Sequence, residues 1–173
     1  MNINNLPSDN IENIIKCQQN DIESSYKTMN DSFDELYEFI LVFYDYLYTK
    51  HNYGDGIPRT MIEIHILTEI NDNPGTTITN LARKWHRTTS AVSQIIKNYV
   101  NLGLVTRSRN KKDGKINNLF ITKKGKELVN NHKKYDIEHI NDLINTFLEQ
   151  SSVEEIKSFF KLVSIFKNYL LEE

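Results

Sequence analysis

Thr77-Ile78-Thr79-Asn80-Leu81-Ala82-Arg83-Lys84-Trp85-His86-Arg87-Thr88-Thr89-Ser90-Ala91-Val92-Ser93-Gln94 is the stretch on which the fold turns. Ile78, Leu81, Ala82 and Trp85 recur at i, i+3, i+4 and i+7, one face of a short helix that Thr77 can cap. Thr88 can cap a second helix, whose inward face at the same spacing is Val92, Ile95, Ile96 and Tyr99. Gly103 fits the left-handed position that ends it. Two short amphipathic helices joined by a tight turn predict a helix-turn-helix.

The flanking sequence extends this reading. His51-Asn52-Tyr53-Gly54-Asp55-Gly56-Ile57-Pro58 is a loop. Thr60-Met61-Ile62-Glu63 reads as a capping box, opening a helix with Ile64, Leu67 and Ile70 that stops at Asn73-Pro74-Gly75. Leu104–Ser108 and Asn118–Thr122 have strand character, and the segment between them, Arg109-Asn110-Lys111-Lys112-Asp113-Gly114-Lys115, contains an Asp-Gly turn signal. A β-hairpin wing with a basic tip is expected over 107–118. Residues 9–29 carry a thin apolar stripe and predict a weak helix. Residues 31–50 are apolar nearly all round, which predicts a helix covered on two sides, one within its own chain and one by a second chain. Two further helices over 123–149 and 152–171 carry apolar stripes expected to pack against it. The predicted fold is mainly α. A winged helix-turn-helix over 58–126 is flanked by helical dimerisation regions over 31–57 and 127–173, with an N-terminal extension over 1–30.

Composition narrows the class. At 173 residues, with 39% hydrophobic and 25% charged residues, the chain can bury a core without metal or disulfide. It has one cysteine, no apolar run of membrane-spanning length, and a start, Met1-Asn2-Ile3-Asn4-Asn5, unlike a secretory signal. A cytoplasmic protein without a membrane partner is expected. The net charge of −2 hides a polarised chain. From Asn73 to Lys126 twelve Lys or Arg face a single acid, Asp113, for a net of +11, while the remainder stands at −13. Such a segment suits a polyanion.

The second helix of the motif, over 88–102, has the geometry of a recognition helix. Opposite its apolar face lie Thr89, Ser90, Ser93 and Gln94, expected to meet base edges in a major groove, with Gln94 able to bond adenine in two places. Thr77, Arg87, Thr88, Lys97, Arg107, Arg109, Lys111, Lys112 and Lys115 are placed on phosphates or in the wing.

From Leu81 through Gln94, then Gly103-Leu104-Val105, the hairpin and Ile121-Thr122-Lys123-Lys124-Gly125, the chain resembles the winged helix-turn-helix of the MarR family, without gaps. The resemblance implies a homodimeric transcriptional regulator, often a repressor, that reads pseudo-palindromic DNA. It also implies dimerisation through the terminal helices and release by small molecules, metals or oxidants. Three features depart from the family. Asp113-Gly114-Lys115 stands where Asp-x-Arg is usual, His86-Arg87 occupies a turn that is usually small and apolar, and residues 1–30 are extra.

The remaining candidates are few. His132 and Asp136 lie one turn apart, and with His65 they offer two imidazoles and a carboxylate that suit Zn²⁺ if a fourth ligand closes the site. The resemblance supports this, because a zinc-responsive branch of the family places ligands at similar positions. No compact His or Cys spacing demands a metal, and no cofactor is predicted beyond a small effector. Cys17, beside Lys16, is the one candidate oxidant sensor, set against an incidental thiol. A phosphate loop, a nucleophile elbow and HExxH are all missing, so no enzyme is expected. The alternative is a winged-helix module for protein contacts that does not read DNA.

Overall fold

The structure, a computed structural model, describes residues 22–109 and 117–172. The weak helix read over 9–29 therefore lies mostly outside the described residues, as do Cys17 and the wing tip with Lys111, Lys112 and Lys115. Among the described residues the elements run α1 (Ile22–Tyr48), β1 (Lys50–His51), β2 (Arg59–Thr60), α2 (Met61–Asp72), α3 (Ile78–Lys84), α4 (Thr89–Asn101), β3 (Val105–Arg109), β4 (Asn117–Ile121), α5 (Lys123–Gln150) and α6 (Val153–Glu172). The chain divides into two compact units. One holds α1 and β1 together with Thr60–Ile62, and the other holds Asn52–Arg59 and everything from Glu63 onward. No described helix is long and apolar enough to cross a membrane.

The second unit contains the winged helix and its core. Ile64, Ile66, Leu67 and Ile70 of α2, Leu81 and Ala82 of α3, and Val92, Ile96 and Tyr99 of α4 are buried together with Leu104, Val105, Leu119, Leu128 and Val129. Each fully buried side chain of this kind contributes about 1.5–3 kcal/mol. Tyr99 also donates its hydroxyl to the Glu63 carbonyl at 2.6 Å, tying α4 to the start of α2. Ahead of α2, Asp55 accepts from both terminal nitrogens of the buried Arg59 at 2.7 Å, and Asn52 Oδ1 accepts from the N–H groups of Gly54 and Gly56. The Arg59 guanidinium holds the Asp55 carboxyl below its ordinary value.

The caps expected of Thr77 and Thr88 are present. Thr77 Oγ1 accepts from Asn80 N–H at 3.2 Å, and Thr88 Oγ1 from Ala91 N–H at 3.1 Å. Gly103, at φ +69°, follows the last turn of α4. β3 and β4 pair antiparallel from Val105 opposite Ile121 to Arg109 opposite Asn117. The Asn73-Pro74-Gly75 turn runs alongside β4: Gly75 donates to the Leu119 carbonyl at 2.8 Å, and Leu119 donates back to that of Thr76 at 2.9 Å.

Thr122 joins the hairpin to α5. It accepts from Gly125 N–H at 3.1 Å, donates its hydroxyl to the Gly103 carbonyl at 2.7 Å, and donates its N–H to the Leu104 carbonyl at 3.0 Å. A further capping box opens α6. Ser152 N–H and hydroxyl reach Glu155 Oε2 at 2.8 and 2.6 Å, and Glu155 N–H returns to Ser152 Oγ at 3.3 Å.

The terminal helices differ from expectation. The helix read over 31–50 begins at Ile22 and ends at Tyr48. Its apolar side chains, expected to be covered on one face within the chain, are mostly exposed: Leu41 by 68% and Val42 by 63%. On α5, Ile137, Ile140 and Leu143 are exposed, and α6 buries no residue although it carries Phe159, Phe160, Val163, Phe166 and Leu170. Periodicity shows that a face is apolar; it does not show which chain covers it.

Gly125 sits where a side chain has no room, since a Cβ there would stand 2.3 Å from the Leu104 carbonyl oxygen and 2.6 Å from Ile121 Cγ1. Gly125→Ala is expected to cost about 1–3 kcal/mol through this overlap. That lowers the melting temperature by about 3–10 °C at this chain length. An unchanged melting temperature would show that the junction yields freely.

Candidate nucleic-acid interface and a histidine cluster

The surface that faces away from the core on α4 is polar and accessible. Thr89, Ser90, Gln94 and Lys97 are exposed, Ser93 is half-buried, and Ile95 is half-buried rather than fully inside. Arg87 and Thr88 are exposed just before the helix, and Thr77 is half-buried at the start of α3. Because the Thr88 oxygen accepts from the cap, its hydroxyl hydrogen remains available to a phosphate, and the same holds for Thr77. The N-terminal amides of α4 add a partial positive charge. Arg107 and Arg109 are exposed on β3. α4 runs Thr89–Asn101, within the 88–102 expected.

Two cations counted in the basic segment have local partners that the sequence did not reveal. Lys84 is ion-paired with Glu69, which also accepts from Asn73 at 2.9 Å. Lys124 donates to the Leu102 carbonyl at 3.1 Å, closing the C-terminal end of α4. Their charge contributes less to an outside polyanion than the sequence sum implies.

The turn between α3 and α4 is tight. Trp85 ends α3 with its N–H on the carbonyls of Leu81 and Arg83. His86 then takes φ +48°, alone in the left-handed region among described residues other than glycine. Arg87 N–H returns to the Ala82 carbonyl at 2.9 Å.

Residues 55–116 match the family model described as MarR family. Over these residues the winged helix of this chain is similar to that of the MarR family. The chain is 29% identical over 104 residues to the uncharacterized HTH-type transcriptional regulator YhjH of Bacillus subtilis (strain 168), a match that spans 60% of this chain and 59% of that protein. Its fold is similar to that of Streptococcus pneumoniae FabT, solved in complex with DNA, at 20% identity and a TM-score of 0.60, covering 85% of this chain and 98% of that one. It is similar also to Lactococcus lactis ZitR, described as a zinc-responsive MarR family member, at 15% identity and a TM-score of 0.63, covering 82% and 99%.

The fold also brings together residues far apart in sequence. His65 of α2 meets His132 and Asp136 of α5, and one ligand atom from each lies within 4.8 Å of the others. His132 Nε2 is 3.1 Å from Asp136 Oδ2, and His65 Nε2 is 3.7 Å from the same oxygen. The two imidazoles meet edge to face at 4.7 Å. His132 Nδ1 lies 3.3 Å from Thr68 Oγ1, whose single hydroxyl hydrogen is directed to the Ile64 carbonyl at 3.1 Å. The direction of that contact follows the imidazole tautomer. His132 Nε2 is buried and makes no hydrogen bond. Burial pushes both imidazoles below their ordinary value, against the opposing pull of Asp136. Two imidazoles and a carboxylate converge here, and the donor set fits a divalent transition metal. Sequence reasoning named these three residues but missed Thr68 and Tyr53. Thr68 follows His65 by three residues on one helix face, and Tyr53 packs edge-on to His132 at 5.1 Å.

The cap of α4 offers a direct check on the site. Thr88→Ala leaves Ala91 N–H without its acceptor and is expected to cost about 1 kcal/mol. The corresponding fall in melting temperature is about 2–4 °C, with Thr88→Ser restoring most of it. Equal melting of all three proteins would show that water replaces the cap.

Proposed function

We propose that this protein is a homodimeric, sequence-specific DNA-binding transcriptional regulator, a repressor acting in the cytoplasm and controlled by a small effector. The observation that carries the reading is α4. It is a helix capped at its N-terminus, packed on the core by Val92, Ile96 and Tyr99, and presenting Thr89, Ser90, Gln94 and Lys97 outward. Thr89, Ser90, Ser93 and Gln94 read bases. Thr77, Arg87, Thr88 and Lys97 bind phosphates, and Arg107, Arg109, Lys111, Lys112 and Lys115 act through the wing. The exposed apolar faces of α1, α5 and α6 support a second copy of the chain as their cover. A two-fold dimer sets two recognition helices about 34 Å apart along a palindromic site.

Selection from random duplexes with the purified protein, followed by titration of the winning sequence at two salt concentrations, tests this reading. An enriched two-fold repeat and a steep salt slope are expected. Gln94→Ala should relax base preference at one position of each half-site. Lys97→Ala or Lys111→Ala should leave preference intact and flatten the slope by about 0.9 per lost phosphate contact, so about 1.8 per dimer. A wing substitution that changes base preference at constant slope would reverse this division of labour. A folded dimer with no affinity for any duplex would favour the winged helix as a protein-contact module.

For the effector, we infer that His65, His132 and Asp136 hold a divalent transition-metal cation, zinc foremost. The convergence of two imidazoles and a carboxylate within 4.8 Å, and a buried His132 Nε2 that makes no hydrogen bond, support this. The described residues supply three donors, as in sites where a fourth position is filled by water or another ligand. Calorimetric titration of chelator-treated protein should show one Zn²⁺ per chain, weakened at least about tenfold in His132→Gln, with no response to Mg²⁺. A flat Zn²⁺ titration would return the effector to the small organic class.

A further inference from the structure

Trp85 is the one tryptophan of the chain, and it occupies two structures at once. Its ring lies against the His65 imidazole, with centroids 5.6 Å apart and planes tilted by 36°. Its backbone closes α3 and begins the turn in which His86 holds φ +48° and Arg87 returns to Ala82. Its indole Nε1 is buried and has no hydrogen-bond partner. Nothing polar therefore anchors the indole, and its position depends on what it packs against.

The cluster behind it is asymmetric. His132 stands 3.1 Å from Asp136 Oδ2, pinned on its other side by Thr68 and edge-on against Tyr53. His65 stands 3.7 Å from the same oxygen. Donor atoms that share one tetrahedral cation at about 2.0–2.1 Å lie roughly 3.3 Å from one another. His132 and Asp136 are close to that spacing already, and His65 is the group with distance left to close. The residue that moves is thus the one that supports Trp85.

We propose that Trp85 is a positioning residue that carries the state of the His65–His132–Asp136 cluster to the helix-turn-helix. When His65 draws toward Asp136, the indole resting on it follows. The turn through His86 and Arg87 then changes the direction from which α4 starts. Trp85 supplies no ligand atom; it acts through the turn. The proposal rests on the reading of the cluster as a cation site, and its test separates the two. Protein interiors are packed closely enough that a displacement of this kind is transmitted rather than absorbed. The coupling has an effect only because a cation favours one arrangement over the other.

The experiment uses the full chain and Zn²⁺ alone, with three readouts: heat of binding, Trp85 emission, and amide hydrogen exchange at residues 85–88. In the wild type, Zn²⁺ should bind, shift the emission with the same midpoint, and change exchange across the turn by at least about fivefold, the lower end of ordinary coupling. Trp85→Leu should still bind Zn²⁺, because Trp85 supplies none of the donor atoms, yet lose the exchange response. Should Trp85→Leu fail to fold, judged by circular dichroism, Trp85→Phe takes its place and should at least halve the response. A variant that binds Zn²⁺ and keeps the full exchange response overturns the proposal and spares the cation site. Wild-type binding with silent emission and unchanged exchange does the same. Absence of Zn²⁺ binding in the wild type overturns both readings.

Discussion

The winged helix depends on one crowded junction. Thr122 bonds to the Gly103 and Leu104 carbonyls and to Gly125 N–H, and Gly125 leaves room for the Leu104 oxygen by having no side chain. Three elements end or begin within that contact: the last turn of α4, the base of the hairpin and the first turn of α5. Lys124 adds a bond to the Leu102 carbonyl from the same turn. The direction of the recognition helix relative to the wing is therefore set by short polar contacts at its C-terminal end. Its N-terminal end, where bases would be read, is held by the Thr88 cap and the His86 turn. A helix fixed firmly at one end and through a turn at the other has a defined place to respond.

Burial is distributed unevenly, and this has energetic consequences. The inner side chains of α2, α3 and α4 with the hairpin are almost wholly buried, so this part has a complete core of its own. The apolar side chains of α6 have none. Phe159, Phe160, Val163 and Phe166 are each about half exposed, which forfeits about 1 kcal/mol apiece relative to full burial. In the proposed dimer a second copy of the chain would remove that penalty and fix the spacing of the two recognition helices, so assembly and DNA reading would share one set of apolar contacts.

Local features of the fold were legible in the sequence because they rest on local physics. Val92, Ile96 and Tyr99 stand inside as their spacing requires, and Thr77, Thr88 and Gly103 occupy the positions their chemistry favours. Partial exposure of Ile95 and Trp85 was not legible, since periodicity assigns a face and not a depth. The Ser152–Glu155 capping box was written plainly in the sequence and was overlooked beside the stronger apolar pattern. The pairing of Lys84 with Glu69 joins residues 15 apart, on two helices whose packing no charge count contains. His65 and His132 are joined only by tertiary structure. Their residue types raised the question of a metal, and the resemblance pointed to these positions. The contact of His132 with Thr68 likewise follows only from the packing of α5 on α2.

His132 Nε2 is the buried atom hardest to explain by packing. A core position filled by leucine would carry no unsatisfied atom, and an unpaired buried polar atom costs about 1–3 kcal/mol. Burial, with His65 and Lys133, opposes a charged His132 imidazole, while the Asp136 carboxylate favours one. In the proposed site a divalent cation would satisfy Nε2 and the carboxylate together and bring its own charge. The adjacent indole, which no hydrogen bond pins, would then be free to follow His65. The unpaired His132 Nε2 and Trp85 Nε1 and the left-handed His86 all lie along the path from Asp136 through Trp85 to Arg87.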